Sequence, residues 1–346
     1  MDLNRSTSIL ILLIAIVFTL IIGKNFLLPL VLAGLIWFFV KEIRKLSERI
    51  PFIGKRLPRW VHNLVSISIL YGIMGVVVKM LALNINEMTQ EDNLSVYINN
   101  LDTINGYFYQ QFGINVETFW NNSADKINYS SLIQGALSSA SEQLGNLFMI
   151  GLYVLFMLLE ETAFTGKLTA MAGDQKKLEE WNHTLKKVSD SIGSYLVLKT
   201  VVSLITGILS YTALAIIGID SPLFWAFLIF LLNYIPTVGS LIATLFPACM
   251  ALLQSGELNL ALIVIAAVGT IQLIVGNIIE PRVMGNSLNV SSLVVILALS
   301  FWGAIWGITG MVLSVPITVI MVILFGQFES TRKIAILLSD KGKLEP

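Results

Sequence analysis

The sequence predicts an all-α polytopic membrane protein: about six spans plus two helical hairpins broken at Gly and Pro, with an extracytoplasmic helical segment. Three observations predict it. Of 346 residues, 55% are hydrophobic and only 13% charged, and mean hydropathy is +0.80; soluble domains carry about 25% charged residues. Charge is excluded from long stretches: none lies between Asp220 and Glu257, Glu257 and Glu280, or Arg282 and Glu329. Gly/Pro-rich clusters then interrupt two of these stretches, leaving arms shorter than a bilayer requires.

Composition also bounds function. Net charge is zero, so no nucleic-acid partner is expected. Cys249 is the single cysteine, and His62 and His183 are isolated, so neither an internal disulfide nor a metal site can be drawn. No phosphate-binding loop, His-Glu-x-x-His or Gly-x-Ser-x-Gly occurs. An enzyme is not expected, nor any catalytic residue or cofactor.

The first region, 1–83, holds apolar runs at 8–22 and 26–40, each about 22 Å as helix and short of a hydrocarbon core of about 30 Å. They form two short or tilted spans, or one deeply entering hairpin. Gly23-Lys24-Asn25-Phe26 is not a small-residue cleavage site, so the first run is expected to be a retained helix. The loop 41–59 carries Lys41, Arg44, Lys45, Arg49, Lys55, Arg56 and Arg59 against Glu42 and Glu48. That excess places it in the cytoplasm. A span over 61–83 follows, with Lys79 able to snorkel near its end.

Region 84–145 is acidic. Between 84 and 143 Lys126 faces seven carboxylates, while Leu94, Tyr97, Ile98, Leu101, Ile104 and Phe108 recur at helical steps. An amphipathic helical segment outside the membrane is expected, lying on lipid or against neighbouring subunits. Region 146–192 combines a span over 146–159 with a cytoplasmic interfacial helix over 167–190, its face formed by Leu178, Trp181, Leu185 and Val188. The expected transport core is 193–328: spans over 193–217 and 260–279, plus the two hairpins at 221–256 and 291–328. The tail, 329–346, contains Arg332, Lys333, Lys341 and Lys343, which puts both termini in the cytoplasm.

Residues 221–256 would be about 54 Å long as one straight helix, so the stretch must break. Asn233-Tyr234-Ile235-Pro236-Thr237-Val238-Gly239-Ser240 supplies the break. In 291–328 the break falls in Gly303-Ala304-Ile305-Trp306-Gly307-Ile308-Thr309-Gly310. Each stretch is either a re-entrant hairpin with its tip near the midplane or two ordinary spans with a tight turn. Broken helices expose backbone groups that hydrocarbon does not tolerate unless they line a polar cavity, and paired interruptions point to a transport site.

The expected substrate pathway is therefore Asn233, Tyr234, Pro236, Thr237, Gly239, Ser240, Gln272, Asn277, Gly303, Gly307 and Thr309. Its lining is neutral and polar, suited to a small hydroxylated solute. For each Ser or Thr the alternative is an ordinary interhelical hydroxyl, and for Gly303 and Gly307 it is close packing. Glu280 does not suit a helix C-terminal end, whereas Arg282 does. Glu280 therefore needs a cation, either Arg282 or one elsewhere such as Lys199, in a gate or structural ion pair.

Several motifs together resemble one family. They are Ser194-Tyr195-Leu196-Val197-Leu198-Lys199-Thr200, Asn233-Tyr234-Ile235-Pro236-x-x-Gly239-Ser240, Gly276-Asn277-x-x-Glu280-Pro281-Arg282-x-Met284-Gly285, Phe301-Trp302-Gly303 and Gly310-Met311-x-Leu313-Ser314-x-Pro316. They resemble the autoinducer-2 exporter family of bacterial permeases. The resemblance implies a multi-pass protein of the bacterial inner membrane that exports the small polyhydroxylated signal autoinducer-2, with the lipid bilayer and further copies of itself as partners, assembled as a homo-oligomer, a pentamer. Some family members are described as sodium/proton antiporters; here that activity would rest on Glu280. A non-transporting membrane scaffold or receptor is the alternative from another class.

Overall fold

The computed structural model describes residues 3–49, 58–88, 91–113, 129–285 and 289–342. Every element among them is a helix: α1 (Leu3–Ile22), α2 (Lys24–Glu48), α3 (Arg59–Met88), α4 (Glu91–Phe112), α5 (Tyr129–Ala172), α6 (Gln175–Ile217), α7 (Pro222–Leu232), α8 (Val238–Ser255), α9 (Leu258–Ile274), α10 (Glu280–Met284), α11 (Ser292–Gln327) and α12 (Arg332–Leu338), with a π turn at Val275–Ile279 joining α9 to α10. Six helices among the described residues are long and apolar enough to cross a membrane: Lys24–Glu48, Arg59–Asn84, Gln175–Ile217, Val238–Ser255, Leu258–Met284 and Ser292–Gln327. They are not the six spans expected from sequence. Leu10–Ile22 is a shorter apolar helix, and α5 qualifies only as a bent pair, turning by 61° between Asn146–Glu161 and Ala163–Ala172. The second arm of the first hairpin and the whole second hairpin take their places.

The chain divides into two compact units. The first comprises Met1–Ile67, Glu142–Leu196 and Asn286–Pro346. Its hairpin is α11, broken at Gly307, where φ 64° and ψ −145° lie outside the range of L side chains. The arms then pack backbone to backbone: a Cβ on Gly310 would stand 1.9 Å from the Trp302 carbonyl oxygen. Trp302, Ile305, Trp306 and Leu313 form the buried apolar centre, against Leu20, Leu27, Val31 and Leu35 of α1 and α2. The Trp306 indole N–H donates to the Leu20 carbonyl at 3.1 Å, using an acceptor that the end of α1 leaves open.

The basic loop expected over 41–59 is only partly a loop. Residues 41–48 are the last two turns of α2, and 50–57 lie outside the described residues. Arg44 is buried, its two terminal nitrogens donating to both Glu161 oxygens at 2.9 and 2.7 Å and one of them also to Asn63 at 3.0 Å. Lys41 donates to Ser189 at 2.7 Å. Ser47 meets His62 Nδ1 at 2.9 Å. Lys45 lies 3.9 Å from Asp190, so three of the loop's seven cations, Lys41, Arg44 and Lys45, tie α2 to α3, α5 and α6 among the described residues. The reason is partner chemistry: a planar guanidinium matched to a carboxylate can be buried at tolerable cost, and a free one cannot.

The second unit comprises Ser68–Ser141 and Val197–Gly285. Its apolar core joins Leu214 of α6, Trp225 and Ile229 of α7, Ala243, Ala248 and Ala251 of α8, and Ala261, Val264 and Val268 of α9. The amphipathic helix expected in 84–145 is α4, and it docks on this same unit. Tyr97 donates to Asp220 at 3.0 Å, and Asn100 Nδ2 donates to the Leu253 and Gln254 carbonyls, both at 2.9 Å. Asn100 thereby satisfies carbonyls that the C-terminal end of α8 would leave unpaired.

The interfacial helix expected over 167–190 is not a separate element. Residues 167–172 end the second arm of α5, and 175–190 are the start of α6, which continues unbroken to Ile217. The break falls at Gly173, which holds φ 63°, and not at Gly193, where one glycine inside a helix costs only about 1 kcal/mol.

Candidate transport site

Polar side chains among apolar helices concentrate, in the second unit, where the first hairpin turns against α6. The arm α7 has 11 residues, about 16 Å, and α8 has 18. Between them the chain reverses so tightly that a Cβ on Gly239 would stand 1.9 Å from the Leu232 carbonyl oxygen. Thr237 holds φ 56° and ψ −57°, a conformation costly for a β-branched residue. Its hydroxyl bonds the Pro236 carbonyl at 2.7 Å, and Ser240 returns to the Thr237 carbonyl at 2.7 Å. Sequence chemistry dictates the turn: Pro236 cannot continue the α7 ladder, and only glycine fits at 239.

Two side-chain contacts fasten this tip to α6. Asn233 Nδ2 donates to Ser203 Oγ at 3.0 Å, both residues buried. The hydroxyls of Thr200 and Tyr234 share a hydrogen bond of 2.6 Å. One residue before Thr200, Lys199 is 3% exposed and pairs with Glu280. The carboxylate's partner is thus Lys199, and Arg282 is exposed.

The route to Glu280 passes through the π turn at Val275–Ile279. Pro281 has no N–H and its ring would press on the carbonyl four residues back, and a widened turn relieves both. Pi bulges also occur often at functional sites.

Of the residues singled out by sequence, Lys199, Asn233, Tyr234 and Glu280 meet around α6, with Pro236, Thr237, Gly239 and Ser240 forming the attached turn. Gln272 is buried on α9, and its Nε2 has no partner among the described residues. Asn277 does not join them: it is exposed and donates to the Leu273 carbonyl of its own helix at 3.0 Å. Gly303, Gly307 and Thr309 belong to the other unit, where the two glycines serve the aromatic-walled reversal of α11. Thr200 was missed by sequence reasoning. Its signal was its place directly after a lysine in an apolar helix, where a hydroxyl is easily taken for self-satisfied.

Buried polar groups clasping a broken helix among membrane-crossing helices mark a multi-pass membrane transport protein. The profile of the AI-2E family, described as "AI-2E family transporter", matches residues 10–330, and the chain belongs to that family. It is 34% identical to "AI-2 transport protein TqsA" of Escherichia coli (strain K12), over 93% of this chain and 98% of that protein. It is 32% identical to a "putative transport protein" of Haemophilus influenzae, over 83% of each chain. It is 35% identical to "putative transport protein YhhT" of Escherichia coli (strain K12), over 61% of this chain and 59% of the other. The family consists of transport proteins, not enzymes.

Proposed function

We propose that the chain exports a small polar solute, autoinducer-2, across the bacterial inner membrane, with both termini cytoplasmic and the protein assembled as a homo-oligomer, a pentamer. The carrying observation is the tip of the first hairpin: a strained Gly/Pro turn held against α6 by neutral amide and hydroxyl groups, with an ion pair one residue further along. Such groups exchange hydrogen bonds with a polyhydroxylated solute without placing net charge in hydrocarbon. The α7 arm, too short to cross, supports a re-entrant hairpin. The likeness to "AI-2 transport protein TqsA" supports the choice of solute.

Lys199–Glu280 supports a gate reading for this pair, since a carboxylate held by a buried ammonium is poorly placed to bind a travelling cation. Cation/proton exchange is the second reading, favoured only by Glu280 retaining some exposure. The test is flux of autoinducer-2 into or out of liposomes containing the purified protein, with and without proton or sodium gradients. Protein-dependent autoinducer-2 flux is expected. Cation-dependent proton movement abolished by Glu280→Gln, without signal flux, would reverse the ranking.

A further inference from the structure

We propose that the buried face of α6 from Lys199 to Ser210 is a hydrated track through the second unit, its ligand water and, on the export reading above, the hydroxyl groups of the solute. Lys199, Ser203, Thr206 and Ser210 follow one another at steps of four, three and four residues, and so share one helix face. The three hydroxyl residues are 0% exposed and Lys199 is 3% exposed. The run covers about 16 Å, half the hydrocarbon thickness. One turn on, the same face reaches Leu214, also fully buried, which belongs to the apolar core. The polarity stops there.

Three of the four side chains are accounted for. Lys199 has Glu280, Ser203 accepts from Asn233, and Thr206 donates to the Val202 carbonyl at 2.9 Å. Ser210 Oγ has no partner among the described residues. Elsewhere in this chain Thr212, Thr244, Ser255, Ser300 and Thr318 each donate to the carbonyl four residues back. Ser210 does not use that solution.

A second orphan lies level with the track. The end of α6 and the α8–α9 turn meet at Gln254, which bonds Gly218 and Asp220, while Lys199, well back along α6, meets Glu280 at the start of α10, past the far end of α9. α6 and α9 therefore run antiparallel. Gln272 is eight residues from Glu280, five of the intervening ones in the π turn, and Thr206 is seven from Lys199, which puts the two at similar heights. Gln272 is 8% exposed, with Nε2 unpartnered. Buried polar groups that lack protein partners are characteristically satisfied by ordered water.

The test places cysteines at 206, 210 and 214, by Thr206→Cys, Ser210→Cys and Leu214→Cys in a Cys249→Ser background, in sealed vesicles. A small methanethiosulfonate reagent reacts with the thiolate and so requires water at the sulfur. Thr206→Cys and Ser210→Cys should react at least about 10-fold faster than Leu214→Cys; equal rates overturn the track. Ser210→Ala gives an independent sign. Its thermal midpoint falls if the hydroxyl binds water, and rises if the variant merely deletes an unsatisfied group, which overturns the proposal. Labelling does not depend on the solute. A labelled track without autoinducer-2 flux defeats the export reading alone, and an unlabelled track with normal flux defeats the track alone.

Discussion

Removing one partner of the Lys199–Glu280 pair should have unequal consequences depending on which partner is lost. The Lys199 side chain is 4% exposed and the Glu280 side chain 24%. Glu280→Gln leaves the more deeply buried ammonium without its counter-charge, and breaking a buried pair in this way costs about 3–5 kcal/mol. Lys199→Met strands the less buried of the two charges, so a smaller loss of about 1–2 kcal/mol is expected. The double variant Lys199→Met/Glu280→Gln removes both charges together. It should recover most of the larger loss, leaving a coupling of at least about 2 kcal/mol between the sites. Equilibrium unfolding in detergent micelles, followed by tryptophan fluorescence, reads all three against the parent, with Arg282→Gln as a control expected within about 0.5 kcal/mol. Equal losses for the two single variants, or a double variant equal to their sum, would refute the pairing and the burial asymmetry together.

Gly239→Ala and Gly310→Ala each drive a methyl group into a backbone carbonyl, so both should lose more than about 3 kcal/mol or fail to accumulate, as read by folded yield. Thr237→Gly relieves φ 56° and should raise stability by about 1–2 kcal/mol in the same unfolding assay. Asn277→Ala should leave flux and stability near the parent values, because its amide bonds only its own helix. Arg44→Lys cannot reproduce the two-pronged contact with Glu161 and should lose about 1.5–3 kcal/mol, with faster proteolysis in the first unit.

Both helix breaks were legible because they rest on covalent facts: a charge-free run longer than any bilayer, with Pro236 or Gly307 inside it. The need of Glu280 for a cation was legible from its place beside Pro281, but its choice between Arg282 and Lys199 was not. That choice depends on how two helices 81 positions apart align, which no local pattern encodes. The two amides show the same limit. Gln272 and Asn277 looked equivalent in sequence, yet five positions through the edge of a π turn put one inside and the other on the surface. The stretch at 41–59 misled because charge density is a good sign of sidedness and a poor sign of backbone conformation. Its first eight residues continue α2 because Glu161 and Ser189 supply the contacts that make burial tolerable.

The Arg44–Glu161 contact also bears on biosynthesis. The two residues are 117 positions apart, so at about 5–20 residues per second the ribosome adds the carboxylate roughly 6–23 s after the guanidinium. Through that interval Arg44 has only carboxylates of its own helix, Glu48 among them, as counter-charge, and on the orientation proposed above its charge helps hold that end on the cytoplasmic side. Once Glu161 emerges, the same charge is withdrawn from the insertion machinery and becomes a fastener between helices. One side chain thus serves first as an address and later as a bolt, and the order is set by the direction of translation.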